Sequence, residues 1–395
     1  MSLIRLSVLK DIPFAPRVDG TIEMGSYNRR PRHPIGSMDP LKPPQLVARN
    51  SDFFHYVERT FSNAVVDSNL NGPLVVMVHG FLYDPKAAIS KNPKDTDNPH
   101  GRVYHFTRKP EPHEQRHHTA SWPLGLGFSN PDDGGNEGLA VAFGWQSQPG
   151  FASSLLNHFQ NFYARAYDNA SQTAWVLVNL IKVLADIVPN KPIDIICHSL
   201  GSRVVLRGLT MVAKRDADEE GAPILRQEES REILKRLGRV IILGGAEYVV
   251  EAQLLCRRIE RQNLANGPHF YNIVSRENDV LDKLGENFGP RTFGNSQVIG
   301  HNGLSTKHKT DYWIDLQIDS EDLQHWMEQN RNLNVSGDRP WNVWDHWYYY
   351  THRGNMEMYE KILRSQRPNG RWSIERLRND GVPDGVPLRW WHFGD

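Results

Sequence analysis

The stretch Ile193-Asp194-Ile195-Ile196-Cys197-His198-Ser199-Leu200-Gly201-Ser202-Arg203-Val204-Val205-Leu206 decides how the rest of the chain reads. A short β-branched apolar run stops at His198-Ser199, small residues follow, and a helical pattern resumes through Val204, Val205, Leu206, Leu209 and Val212. Strand, abrupt turn with a serine at its apex, then helix is the pattern of a nucleophile elbow, G-x-S-x-G, in which a strained backbone lifts the hydroxyl clear of the sheet edge. Such a turn is crowded, so small residues are needed two positions either side of the serine. Gly201 meets that need on the far side; on the near side Cys197 stands where glycine is commoner, and is small enough to fit. The plain alternative is a buried strand that ends in a serine-capped helix.

Working outward, further buried strands read at Pro73–Val78, Leu139–Trp145, Val240–Leu243, Phe270–Ser275 and Tyr312–Ile318, all short apolar runs rich in β-branched residues. Between them lie helical patterns: a long region from about Phe151 to Val188, read as two helices meeting near Asp168-Asn169, then a helix after Gly244-Gly245-Ala246-Glu247, and another near Asn355–Leu363. Lys214 to Arg239 is charge-dense, as an exposed loop and a surface helix would be. Strands alternating with helices imply an α/β fold, a mostly parallel central sheet flanked by helices. No internal repeat or domain boundary is legible, so residues 1–395 read as a single domain. Residues 1–60 form an N-terminal arm with an edge strand at Leu3–Leu9, and residues 364–395 form a C-terminal tail without recognisable chemistry.

Composition narrows the function classes. Lys plus Arg and Asp plus Glu both number 46, so no bulk field recruits nucleic acid or an anionic membrane. The two cysteines, Cys197 and Cys256, cannot make a disulfide framework and fit a reducing, cytoplasmic compartment. Charges interrupt the first apolar residues and no small-residue cleavage site follows, so the N-terminus does not read as a secretory signal. The most apolar run, Trp175 to Val188, carries Asn179, Lys182 and Asp186 at helical spacing; it reads as a nearly buried helix with one wet stripe, giving no stable membrane insertion. Oligomeric state is left open.

Residues 86–138 are polar, rich in Pro, Gly, His and Asp, and long for a connection inside a compact domain, which suits a lid or a cleft wall. The segment also holds His113-Glu114-Gln115-Arg116-His117, the H-E-x-x-H zinc pattern. That pattern needs a helix to bring both imidazoles to one face. Pro110 and Pro112 precede it and no apolar stripe supports a helix, so a solvated loop is the expectation and no metal is assigned.

With the elbow in place, the chain resembles the α/β-hydrolase superfamily, in its serine esterase or lipase-like branch, over about Pro73 to Leu363. The resemblance implies a nucleophile, an acid and a histidine in that chain order, each beyond the end of a core strand. Ser199 is then the nucleophile. Asp279, in Ser275-Arg276-Glu277-Asn278-Asp279, matches the turn that presents the acid, with Glu247 one strand earlier as the alternative. His346, ahead of Trp347-Tyr348-Tyr349-Tyr350, resembles the histidine loop that leads into the last helix, with His325 as the alternative base. The step His79-Gly80-Phe81 lies where the family builds half of its oxyanion hole, so the amides of Phe81 and Leu200 are the implied donors. The implied activity is hydrolysis of a small-molecule carboxylic ester without cofactor. A second reading keeps the fold but makes the chain a non-catalytic binding module, resting on Cys197; a third is a zinc hydrolase built on His113 and His117.

Overall fold

Strands buried on both faces read as continuous apolar runs, and that is what the centre of the sheet contains. In the computed structural model every residue of β4 (Leu74–Val78), β5 (Leu139–Trp145), β6 (Ile193–His198) and β7 (Leu237–Leu243) is buried. With β1 (Leu3–Leu9), β2 (Ala15–Pro16), β3 (Thr21–Gly25), β8 (His269–Val274) and β9 (Trp313–Gln317) they make one nine-stranded sheet, ordered β2-β3-β1-β5-β4-β6-β7-β8-β9. All neighbours are parallel except β2 and β3. The structure describes residues 3–9, 15–16, 21–25, 59, 61–62, 72–87, 97–105, 121–128, 138–148, 159–215, 225–264, 266–277, 297–304, 310–337, 346–366 and 369–386.

Alternation along the strands divides the interior into two cores. Leu74, Val76 and Val78 face one side, where α1 (Phe159–Ile187), α2 (Gly201–Val212), α3 (Gln227–Arg236) and α4 (Val249–Gln262) pack. Val75 and Met77 face the other, against α5 (Glu321–Arg331), α6 (Arg353–Arg364) and α7 (Ile374–Asn379).

Three expectations need correction. The strand Leu3–Leu9 is interior and not an edge: it lies between β3 and β5, with Ile4, Leu6 and Val8 buried at the period of two that a covered strand requires. Residues 159–187 form one helix, not two meeting at Asp168-Asn169. Asp168 is exposed and Asn169 half-buried, so their weak helix propensity is outweighed by the buried face of Tyr163, Ala166, Tyr167, Ala170, Ala174 and Leu177. The surface helix α3 runs straight into β7, which starts at Leu237, three residues before the apolar run that betrays it. Between β9 and His346 lies a further helix, α5 (Glu321–Arg331), with only Leu323, Trp326, Met327 and Arg331 buried.

The described parts of the 86–138 insertion are built into the second core. Tyr104 and Trp122 are buried, Tyr104 donates to the carbonyl of Met77 at 3.0 Å, and the Trp122 ring meets Tyr350 edge-on at 5.2 Å. The small side chains of Ala140 and Ala142 on that face of β5 leave room for them. His113, His117, Asp279, the proline-rich stretch 31–44 and the chain beyond residue 386 lie outside the described residues.

Candidate active site

β6 carries its chain to His198, and Ser199 then takes φ 50°, the left-handed region that costs a β-carbon residue of order 1–2 kcal/mol. The strain is held from several sides. The Ser199 N–H donates to the carbonyl of Leu243 at 2.9 Å, and its own carbonyl accepts from Ser202 N at 3.0 Å, Ser202 Oγ at 2.7 Å and Ala246 N at 3.1 Å. The need for small residues is steric: a β-carbon on Gly201 would stand 2.5 Å from the carbonyl oxygen of His79 and 2.7 Å from that of Val78. Across the turn, one on Gly80 would stand 2.8 Å from Cβ of Ser199. Cys197 is tolerated because its side chain points into the first core, where burial pushes its thiol pKa up and keeps it protonated. The Leu200 N–H, just ahead of α2, makes no hydrogen bond among the described residues, and neither does the Ser199 hydroxyl.

The end of β4 meets this turn from the next strand. His79 is buried and held low, to about 3, by loss of solvation, so its ring is neutral. Two bonds settle its tautomer: Nδ1–H donates to the carbonyl of Gly80 at 2.9 Å, and Nε2 accepts from the N–H of Trp145 at 2.9 Å. Because a trans peptide sets C=O and N–H in opposite directions, fixing the Gly80 carbonyl on the His79 ring turns the Phe81 N–H away from it. Leu82 follows at φ 71°, a second strained residue beside the same turn.

His346 is brought to the same rim. The His198 and His346 ring centroids are 4.5 Å apart, and His198 Nε2–H donates to the backbone carbonyl of His346 at 3.1 Å. Tyr350 stands edge-on to His198 at 4.9 Å and Tyr349 edge-on to His346 at 5.8 Å. Burial lowers His346 to about 3, leaving a neutral imidazole; His198 is also lowered, by burial first and by His346 second. Among the described residues Ser199 and His346 share no direct hydrogen bond; His198 is what links their positions.

The segment leading to Asp279 leaves the sheet close by. The N–H groups of Arg276 and Glu277 donate to Asp319 Oδ2 at 2.9 and 3.2 Å, and Ser275 N donates to the carbonyl of Gly300 at 3.1 Å. Glu247, the alternative acid, is fully buried elsewhere in the elbow's support: its carboxylate accepts from Arg203 Nη1 at 2.8 Å, Tyr167 Oη at 3.1 Å and Tyr248 N at 2.8 Å. His325, the alternative base, lies exposed on α5. Sequence reasoning did not find His198 as the anchor of the chain at His346, Asp319 as the clasp on Arg276 and Glu277, or His79 as the clamp on the Gly80 peptide. The first and third lie within motif stretches; nothing in the residue pattern marks Asp319. Among the described residues no group of three His, Cys, Asp or Glu side chains is arranged to hold a metal ion.

A parallel sheet with helices on both faces, and a strained serine at the C-terminal end of a central strand, are the features of the α/β-hydrolase fold. Residues 57–244, from ahead of β4 through the elbow to the end of β7, match the family described as Alpha/beta hydrolase of unknown function (DUF900). None of the curated proteins matches the chain.

Proposed function

We propose that the chain is a serine hydrolase that cleaves carboxylic esters through an acyl-enzyme on Ser199. The carrying observation is the strained Ser199 at the strand end with a buried, neutral His346 held one residue away through His198. A serine hydroxyl is a poor nucleophile unless a base within reach takes its proton, and that base needs a third group to fix its tautomer. His346 takes the Ser199 proton as the oxygen attacks the ester carbonyl, then gives it to the leaving alkoxide as the carbonyl–oxygen bond breaks. Water, deprotonated by the same imidazole, hydrolyses the acyl-enzyme and restores Ser199. Asp279 is assigned as the acid on the other ring nitrogen, where its charge would raise a histidine that burial alone leaves too weak a base. The Leu200 and Phe81 amides hold the oxyanion, each such donor commonly worth about 2.7–4 kcal/mol.

The test is hydrolysis of p-nitrophenyl acetate and butyrate by the wild type and by Ser199→Ala. The variant is expected to lose activity by about a thousandfold or more; equal rates would overturn the assignment. The absent Ser199–His346 hydrogen bond favours a second reading, a non-catalytic binding protein, although such bonds are often loose without substrate. Covalent labelling of Ser199 by a fluorophosphonate separates the two.

A further inference from the structure

At the other end of the sheet, α5, α7 and the chain ahead of α7 border an open cleft of about 570 Å³ lined by Asn330, Arg331, Asn369, Arg371, Arg376 and Asp380. Its end of the molecule is set by Arg378 of α7, which donates to the carbonyls of Thr310 and Trp313 where β9 begins, whereas Ser199 lies beyond the point where the parallel strand β6 finishes. Three guanidinium groups and one carboxylate line it, so the cleft carries two surplus positive charges on a chain whose formal net charge is zero.

These charges are held in place. The Arg331 guanidinium lies over the rings of Trp326 and Trp372, at 4.6 and 5.5 Å. Its Nη2 donates to Asp380 Oδ2 at 2.8 Å and its Nη1 to the carbonyl of Asn330 at 3.1 Å. Asp380, held below the usual carboxylate range by the hydrogen bond from Arg331, stays ionised and also pairs with Arg376 Nε at 3.1 Å. That one carboxylate is therefore shared by two arginines. Arg371 donates to the carbonyl of Asn330 at 2.6 Å and faces no carboxylate among the described residues. Arg371 and Arg376 are otherwise exposed, so both present guanidinium donors to the solvent-filled space.

We infer that this cleft is a binding site for a phosphate-type dianion, either free phosphate or the phosphate of a small polar monoester, separate from the hydrolase site. Arginine presents a planar fork that matches phosphate oxygens two at a time, and two surplus charges balance a dianion. A cleft of this size exceeds a bare phosphate and falls within the usual range for small organic ligands. The Asn330 Nδ2 donates to the carbonyl of Trp326 at 3.0 Å, which leaves its Oδ1 and the Asn369 side chain to meet the hydroxyls of a monoester's organic part.

The test is isothermal titration of the full chain, at low ionic strength, with inorganic phosphate, glycerol 3-phosphate and acetate. The expected result is one saturable site for a phosphate-bearing ligand, weaker or absent for acetate and unchanged in Ser199→Ala. Tighter binding of glycerol 3-phosphate assigns the site to a monoester, and tighter binding of inorganic phosphate to the free anion. In Arg371→Gln/Arg376→Gln, where both side chains are exposed and the fold is expected to persist, affinity should fall about tenfold or more. Arg371→Lys keeps the charge without the fork and should fall between. Failure to saturate at millimolar phosphate, equal affinity for acetate, or an unchanged affinity in the folded double variant would overturn the proposal.

Discussion

His79 shows how a motif residue can act through burial and two hydrogen bonds to the backbone. Its ring is neutral because charging it inside the core would cost solvation, and its two bonds orient the peptide that precedes Phe81. The folded pKa of about 3 lies below the ordinary 6.5. Between those values the unfolded chain binds a proton that the folded chain does not, so the contribution is complete above about pH 6.5 and is lost as pH falls toward 3. Buried carboxyls such as Glu247 and Asp315, pushed up by burial, act with the opposite sign, but they are common to wild type and variant. Urea unfolding at about pH 7.5 and about pH 5.5 should therefore show the wild type losing about 1.4 kcal/mol more than His79→Gln over that interval. Parallel pH profiles would show that His79 does not fold as the neutral form.

Among the elements, the elbow is braced by three helices meeting at one ion pair. Arg203 in the first turn of α2 lies over the Tyr167 ring of α1 at 4.4 Å, bonds Ser171 Oγ of α1 at 3.1 Å, and pairs with Glu247 just ahead of α4. Ala246, next to Glu247, donates to the Ser199 carbonyl. The brace thus joins α1 and the β7–α4 turn to the nucleophile's own backbone. Removing one member of a buried pair strands the other charge, commonly at about 3–5 kcal/mol. Glu251 lies 3.8 Å from Arg203 and offsets part of that, so Glu247→Gln is expected to cost about 3 kcal/mol in urea unfolding. The double change Arg203→Met/Glu247→Leu removes both charges and should cost less than the sum of its parts. A loss under about 1 kcal/mol in Glu247→Gln would mean the pair contributes little.

At the scale of the molecule, the N-terminal strand is part of the sheet's interior. Leu6 is fully buried, and Ser7 Oγ lies 3.0 Å from Nε2 of the buried His100 in the insertion, so β1 ties two distant stretches of chain together. Leu6→Ala should therefore destabilise the whole domain by about 2–5 kcal/mol, as any core truncation does. If β1 were an arm lying on the surface, the same change would stay within about 0.5 kcal/mol. Urea midpoints of the two proteins distinguish these outcomes.

Local residue order was sufficient for the central strands, the elbow and the requirement for glycine at 201, because each depends on a short run whose chemistry is complete in itself. A strand buried on both faces must be apolar throughout, and a turn this tight admits no β-carbon where two carbonyls approach. Tertiary structure alone decided the place of β1, the continuity of α1, the presence of α5 and the pairing of Glu247 with Arg203. It also decided that His198 anchors the His346 loop and that Arg331 and Arg376 share the single carboxylate of Asp380. In each of these the partner comes from a distant part of the chain. Burial and charge balance are properties of the assembled neighbourhood, and a linear pattern does not contain them.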